Sequence, residues 1–287
     1  MTPNSNPPKP ACQICGTPMD GYNFEGFYKC PACSFVTAGV TLTKKQAEQL
    51  YCGRYFNGEE YADYVSDEAL IKKNFQDRMR TLLRFVPDPG AKSLFEIGSA
   101  YGFFLETAAK HFGKTAGIDI TREGVEFAVK RGNNEFKGEF LKFNKLGKTD
   151  VFCMWDTIEH LSKPAEYIKK IAAHTKTGGL LAITTGDIAS FNAKFRGARW
   201  RQIHPPTHLH YFSVKSLTYL LNRNGYEVVY AGHPGQYANL GNIFKIMFVI
   251  RSRNEALYNF LKGVGLAALN IYFNMFDLVY IIARKVR

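Results

Sequence analysis

Four cysteines fall in two tight pairs, Cys12-x-x-Cys15 and Cys30-x-x-Cys33, with fourteen residues between the pairs. Two knuckles that each offer two thiolates fill the four positions of a tetrahedral ion. The spacing therefore predicts a structural zinc ribbon with no coordination position left open for chemistry. Redox chemistry is the weaker reading, because thioredoxin-like activity needs one such pair inside a βαβ unit. Cys52 and Cys153 stand alone and read as packing residues. The chain starts "MTPNSNPPKP", without the apolar core of a signal peptide. Paired cysteines in that context point to metal in a reducing cytosol rather than to disulfides, and the expected localisation is cytoplasmic.

Acids and glycines make a second group. The stretch "SLFEIGSAYGFFLETAAK", Ser93 to Lys110, reads as strand, turn and helix, and places Glu96 two residues before Gly98. Ligands of open α/β sheets bind at the carboxyl ends of the strands, and the first strand-to-helix turn is the usual place. The nicotinamide fingerprint G-x-G-x-x-G is absent, since Ala100 and Phe103 occupy two of its glycine positions. An acid at the strand tip suits a ligand that carries positive charge there rather than a pyrophosphate. Asp119 ends the next strand candidate, "TAGIDI", where a dinucleotide fold puts the acid that binds ribose hydroxyls. Histidines make a third group: His204, His208 and His210 lie in the proline-broken stretch "RWRQIHPPTHLHYFS", and His160 lies in "IEHL". No carboxylate has ligand spacing with the three loop histidines, so a second metal is not expected.

The elements that must position these groups follow from periodicity. Residues 1–10 read as a disordered leader, residues 11–40 as the ribbon, and residues 41–90 as a helical linker or lid. In the lid, "SDEALIKKNFQDRMRTLLRFV" sets Leu70, Phe75, Met79, Leu82 and Leu83 on one face. From residue 91 strands and helices alternate. Strands are expected at Leu94 to Gly98, Thr115 to Ile120, Glu135 to Phe140, Val151 to Asp156, Leu180 to Thr185, Glu227 to Ala231 and Leu278 to Ala283. Helices are expected at Phe103 to Phe112, Arg122 to Arg131, Pro164 to His174 and Val214 to Asn224. Such alternation predicts an α/β fold, a Rossmann-like, doubly wound parallel sheet. Residues 235–276 read as an apolar helical insertion before the last strand. A spanning helix over Gly263 to Ala283 would have to bury Asn270, Asn274 and Asp277, and Asp alone costs about 2.5 to 3.5 kcal/mol at mid-membrane. Two readings of the insertion stand: helices covering the sheet edge or a second copy, and an interfacial membrane element.

The acids suit S-adenosylmethionine, which carries an ammonium and a sulfonium. Here the chain resembles the class I S-adenosylmethionine-dependent methyltransferases, from "LFEIGSAYG" through Asp119 to "DVFCMWDTIEHLSKPAEYIKKIAAHTKTGGLLAITTGD". The resemblance implies a seven-stranded sheet with its last strand antiparallel. It also implies that Glu96, Gly98, Ser99 and Gly102 line the methionine end of the cofactor, Asp119 and Ile120 the ribose, Glu139 and Phe140 the adenine, and Asp156 the methionine portion. The "P-x-HL-x-x-FS" block is similar to that of bacterial members acting on sugars, polysaccharides and lipid-linked intermediates. That implies a sugar or glycan acceptor, methylated on oxygen. A sugar hydroxyl is a poor nucleophile and needs a general base. His208 is the first candidate, with His160 and His210 behind it; the alternative for each is a histidine bonded to loop carbonyls. A net charge of +12 favours an anionic partner, which fits a nucleotide- or lipid-linked acceptor, a membrane surface or nucleic acid. An RNA methyltransferase and a non-catalytic scaffold are the rival readings. The absence of an Asn-Pro-Pro-Tyr-like motif counts against the first, and the retained acids against the second.

Overall fold

The computed structural model of the chain describes residues 9–40, 64–251 and 253–287. The expected leader lies outside these residues except for its last two positions, as do Cys52 and the 41–63 part of the lid. Three short antiparallel strands come first, β1 (Asp20–Gly21), β2 (Phe27–Lys29) and β3 (Val36–Ala38). Helix α1 (Glu68–Leu83) follows and buries Phe75, Met79 and Leu82, as its 3.6-residue period requires. The alternating part runs β4 (Ser93–Ile97), α2 (Phe103–Ala108), β5 (Lys114–Asp119), α3 (Arg122–Lys130), β6 (Glu135–Lys137), β7 (Thr149–Trp155), α4 (Pro164–His174) and β8 (Thr175–Gly186). After it come α5 (Phe191–Arg196), β9 (His210–Tyr211), α6 (Val214–Arg223), β10 (Tyr226–Gly232), β11 (Gln236–Asn239), α7 (Leu240–Phe244), α8 (Glu255–Gly263), β12 (Asn270–Phe273) and β13 (Leu278–Lys285).

The main sheet has seven strands in the order β10-β13-β8-β7-β4-β5-β6. Strands β4 to β8 are parallel, and β13 runs antiparallel between β8 and β10. All seven residues of β7 are buried, as a strand covered on both faces demands. The chain lays β5 and β6 on one side of β4, then β7 and β8 on the other. The crevice at this reversal opens at the carboxyl ends of β4 and β7.

Three details depart from the sequence reading. The strand expected over Glu135 to Phe140 stops at Lys137, because Gly138 turns to φ +150 and Phe140–Lys142 winds into a short 3₁₀ turn. The insertion over 235–276 is not wholly helical. β11 and β12 pair as an antiparallel hairpin, with Asn239 opposite Asn270, and carry the helices at its tip. Half-buried alternation in "NIYF" is a strand pattern that the surrounding apolar helices hide. Nor is the ribbon a closed unit, since β9 from the middle of the chain completes its sheet by pairing Tyr211 with Val36 and His210 with Thr37.

One buried acid ties the loop after β8 to the start of β13. The Asp277 carboxylate is 2% exposed and accepts from Trp200 Nε1 (2.9 Å), Asn192 Nδ2 (2.8 Å) and Arg201 Nη2 (3.1 Å). Removing one partner of a buried, hydrogen-bonded charge pair leaves the other unpaired, and Arg201 is itself one-third exposed. Asp277→Ala is expected to lower unfolding stability by about 2–4 kcal/mol in urea titration, and a change under about 0.5 kcal/mol would show that this hub is not needed.

Candidate functional site

Glycine builds the first turn of the sheet. β4 ends at Ile97, Gly98 takes φ +78, and a Cβ there would lie 2.5 Å from Thr157 Oγ1 in the loop after β7. Ser99 and Ala100 continue the turn, and Gly102 caps α2. Asp119, at the tip of β5, accepts from the Ala100 N–H (2.8 Å), the Thr121 N–H (2.8 Å) and the Thr121 hydroxyl (2.7 Å). A carboxylate offers about four acceptor positions, so roughly one remains for a ligand hydroxyl. Ile120 stands exposed just beyond it.

Glu96 is buried between its register neighbours Gly117 of β5 and Cys153 of β7, and its Oε2 has no hydrogen-bond partner among the described residues. Burial first, then the charges of Glu135 and Asp119, hold its carboxyl well above the usual range, against the pull of Arg78. Glu135, which the sequence reading did not single out, accepts the Ser99 hydroxyl at 2.6 Å. Burial pushes Glu135 up to about 8, and Asp119 adds to the shift. Gly117 makes the room, because a Cβ there would lie 2.9 Å from both Glu135 Oε2 and Ser99 Cβ. Three buried acids with an unsatisfied oxygen are costly alone and fit a cation. The ammonium and sulfonium of S-adenosylmethionine have that character.

Asp156 follows β7 at φ +48 and is held from both sides: Arg78 Nη2 reaches its Oδ2 at 3.0 Å, and the Thr184 hydroxyl donates to its Oδ1 at 2.9 Å. Arg78 comes from α1, so the lid helix contributes to the site directly. Nothing but its place on that helix marked it in the sequence. Glu139 lies past the end of β6 and pairs with Lys142 at 3.1 Å. The Phe140 ring packs into the core against Phe95 and Tyr167, with the Lys170 ammonium 5.1 Å from its centre.

The histidines divide into two groups. His160 and His208 meet with ring centres 4.6 Å apart, and His204 lies 3.9 Å from His208. Each of the first two bonds a backbone carbonyl through Nδ1, His160 to Thr207 O (2.9 Å) and His208 to Gln202 O (2.9 Å). A carbonyl only accepts, so both Nδ1 atoms carry the proton, and the neutral His208 ring keeps its lone pair on Nε2. Burial drives His160 down to about 4, and burial with the charges of His160 and His204 drives His208 well below its ordinary value. The Glu159 carboxylate joins them: one ligand atom from each of Glu159, His160 and His208 lies within 4.8 Å of the others, so these three could hold an ion. That corrects the expectation that no carboxylate accompanies the histidines, which considered only the loop. His210 is elsewhere, in β9, with Nδ1 3.0 Å from the Thr37 hydroxyl and its ring on Phe35, as a joint between ribbon and sheet.

The four ribbon thiols also converge. Sulfur distances are 3.5 Å for Cys12–Cys33, 3.4 Å for Cys15–Cys30 and 3.9 Å for Cys15–Cys33. A zinc ion with Zn–S bonds of about 2.3 Å needs tetrahedral edges of about 3.8 Å, so the sulfurs are spaced to hold one.

Comparison with known proteins bears on the family and the fold. A family model described as a methyltransferase domain matches residues 70–231. A search of curated proteins finds no match to this chain. Among solved structures, the YcgJ protein of Bacillus subtilis is similar at 12% identity, covering 74% of this chain and 99% of that one with a TM-score of 0.56. Magnesium protoporphyrin IX methyltransferase of Synechocystis PCC 6803, solved with bound SAH, matches at 12% identity over 85% and 100% with a TM-score of 0.55. A SAM-dependent methyltransferase from Archaeoglobus fulgidus matches at 17% identity over 77% and 99% with a TM-score of 0.51. At these identities the likeness is one of fold.

A cation entering the acid cluster favours the ionised carboxylates. Glu135 is held near 8, so it is largely protonated in the free protein at pH 7, and Glu96 is raised in the same direction. Uptake of S-adenosylmethionine at pH 7 is therefore expected to release protons, and affinity should fall as pH drops below about 8. Calorimetry in buffers of different ionisation enthalpy reads the release directly; heats independent of buffer would contradict it.

Proposed function

As a member of the methyltransferase-domain family matched over residues 70–231, the chain is an S-adenosylmethionine-dependent methyltransferase, and we propose that its acceptor is a hydroxyl of a sugar or glycan intermediate carried on a nucleotide or a lipid. The observation that carries this reading is the neutral His208, packed against His160, with its Nδ1 spent on the Gln202 carbonyl. Its proton-accepting Nε2 belongs to the loop at the carboxyl end of the sheet that follows β8.

When bound, S-adenosylmethionine supplies an electrophilic methyl group on a sulfonium. Glu96 and Glu135 balance positive charge at the first turn, and Asp119 offers its remaining acceptor position to a ribose hydroxyl. Asp156, clamped by Arg78 and Thr184, orients the methionine portion. Displacement at a methyl group is in-line, so alignment and exclusion of water dominate the task of the residues around it. His208 takes the acceptor proton at Nε2, and its burial keeps it neutral beforehand. The Glu159 carboxylate, within 4.8 Å of the ring nitrogens, offsets the charge that His208 gains. The ribbon would hold a structural zinc ion that fixes β3 and, through it, β9, two residues beyond His208.

His208→Ala is expected to lower turnover about 100-fold or more against nucleotide- and lipid-linked sugars, with S-adenosylmethionine affinity retained. Near-normal turnover would remove it as the base. For the ribbon, metal analysis should find one zinc per chain, lost in Cys30→Ser together with several degrees of Tm; a metal-free protein of unchanged stability would refute the zinc assignment.

A further inference from the structure

Two segments leave the sheet at the end where the candidate site lies. The first, 187–209, follows β8 and contains α5. The second, 233–277, joins the end of β10 to the start of β13. Leu278 pairs with Gly186 and Gly232 pairs with Tyr280, so both segments emerge at the carboxyl end of the parallel strands, beside Asp119 and Asp156.

These segments are unusually apolar on the outside. Of the fourteen large apolar side chains that are exposed among the described residues, ten belong to them. Phe191 and Phe195 stand one turn apart on α5, 82% and 80% exposed, with their rings stacked at 6.1 Å. Phe276, 65% exposed, is joined to α5 through the bond from Asn192 to Asp277. Helix α8 buries none of its residues and presents Phe260 at 64% exposure. Phenylalanines this exposed add nothing to the core, and a large exposed apolar patch marks a contact surface.

The charge of the same segments selects the occupant. Residues 187–209 hold Lys194, Arg196, Arg199 and Arg201 against Asp187, and residues 233–277 hold Lys245, Arg251, Arg253 and Lys262 against Glu255 and Asp277, eight basic residues to three acids, of which Asp187 and Asp277 are buried. A second copy of the chain would bring this positive face against itself. An anionic surface removes the repulsion and takes the aromatic tips as well. No helix among the described residues is long and apolar enough to cross a membrane, so insertion would be shallow. We propose that α5, Phe276 and the α8 end of the insertion dock on an anionic lipid bilayer, with the aromatic rings among the headgroups and the basic side chains on lipid phosphates. Such docking sets the cleft at the height of a lipid-borne acceptor; that last step rests on the proposed acceptor, whereas docking itself does not.

The test is flotation of the full chain with vesicles of phosphatidylcholine alone or mixed with phosphatidylglycerol. Binding is expected to the mixed vesicles, to weaken with salt, and to fall about tenfold in Phe191→Ser/Phe195→Ser and in Lys194→Glu/Arg199→Glu. Circular dichroism and S-adenosylmethionine affinity should stay as in the parent chain, because none of these side chains touches the acid cluster. No flotation by the parent chain, or equal flotation by the folded variants, overturns the proposal. So does sizing that shows a dimer lost on the same substitutions, which would make the face a contact between copies. Catalytic activity enters none of these readouts, so failure here is distinct from failure of the acceptor assignment.

Discussion

Three carboxylates buried within one turn of the sheet constrain the rest of the molecule. Glu96, Asp119 and Glu135 come from three adjacent strands, where Asp119 raises the cost of ionising both glutamates and Glu135 raises that of Glu96. Such a cluster persists only if the backbone around it is fixed without help from the acids themselves, or if a cation completes it. The first condition is met here, and the cluster leaves an oxygen open for the second. Gly98 and Gly117 admit the close approach of Thr157 and Glu135, the Ala100 and Thr121 amides hold Asp119, and Glu96 Oε2 is left facing no protein donor among the described residues. A methyltransferase whose donor is a sulfonium has a use for that deficit, whereas a fold binding pyrophosphate would have to reverse it.

The histidine group depends on the same scaffold through a longer route. His208 and His160 are oriented by carbonyls of a loop that begins after β8 and ends in β9, and β9 is a strand of the ribbon sheet. Cysteine ligation would therefore matter to the site mechanically, by fixing the far end of the loop that carries His208. Arg78 does the same from the other side, linking α1 to Asp156. Site residues thus come from strands β4, β5 and β6, from the loops after β4, β7 and β8, and from α1 outside the central alternation.

Much of this was legible in the sequence because it depends on local chemistry. The glycine turn, the acids Glu96 and Asp119, the cysteine spacing and the alternation of strands and helices are all set by residues near one another in the chain. Glu135 was not legible, since nothing local distinguishes it from other strand acids; its role arises because Gly117, one strand away, leaves room for it. Arg78 and Glu159 were missed for the same reason: each meets a partner distant in sequence, Asp156 for the first and His208 for the second. The hairpin over β11 and β12 was hidden by apolar composition, which suits a helix and a half-buried strand equally well. His210 shows the converse, a residue grouped with His208 by proximity in the chain and separated from it because it pairs with Thr37 in the ribbon sheet, whereas His208 precedes the strand and bonds the loop carbonyl of Gln202.

The claim that a carboxylate cluster holds a cationic donor is tested most directly by titrating S-adenosylmethionine into the parent chain and into Glu96→Gln and Asp119→Asn. These substitutions keep shape and remove charge. Loss of a charged hydrogen bond is worth about 1.5–3 kcal/mol, so affinity is predicted to fall about tenfold or more in each variant with the fold unchanged. Unchanged affinity in both would contradict it.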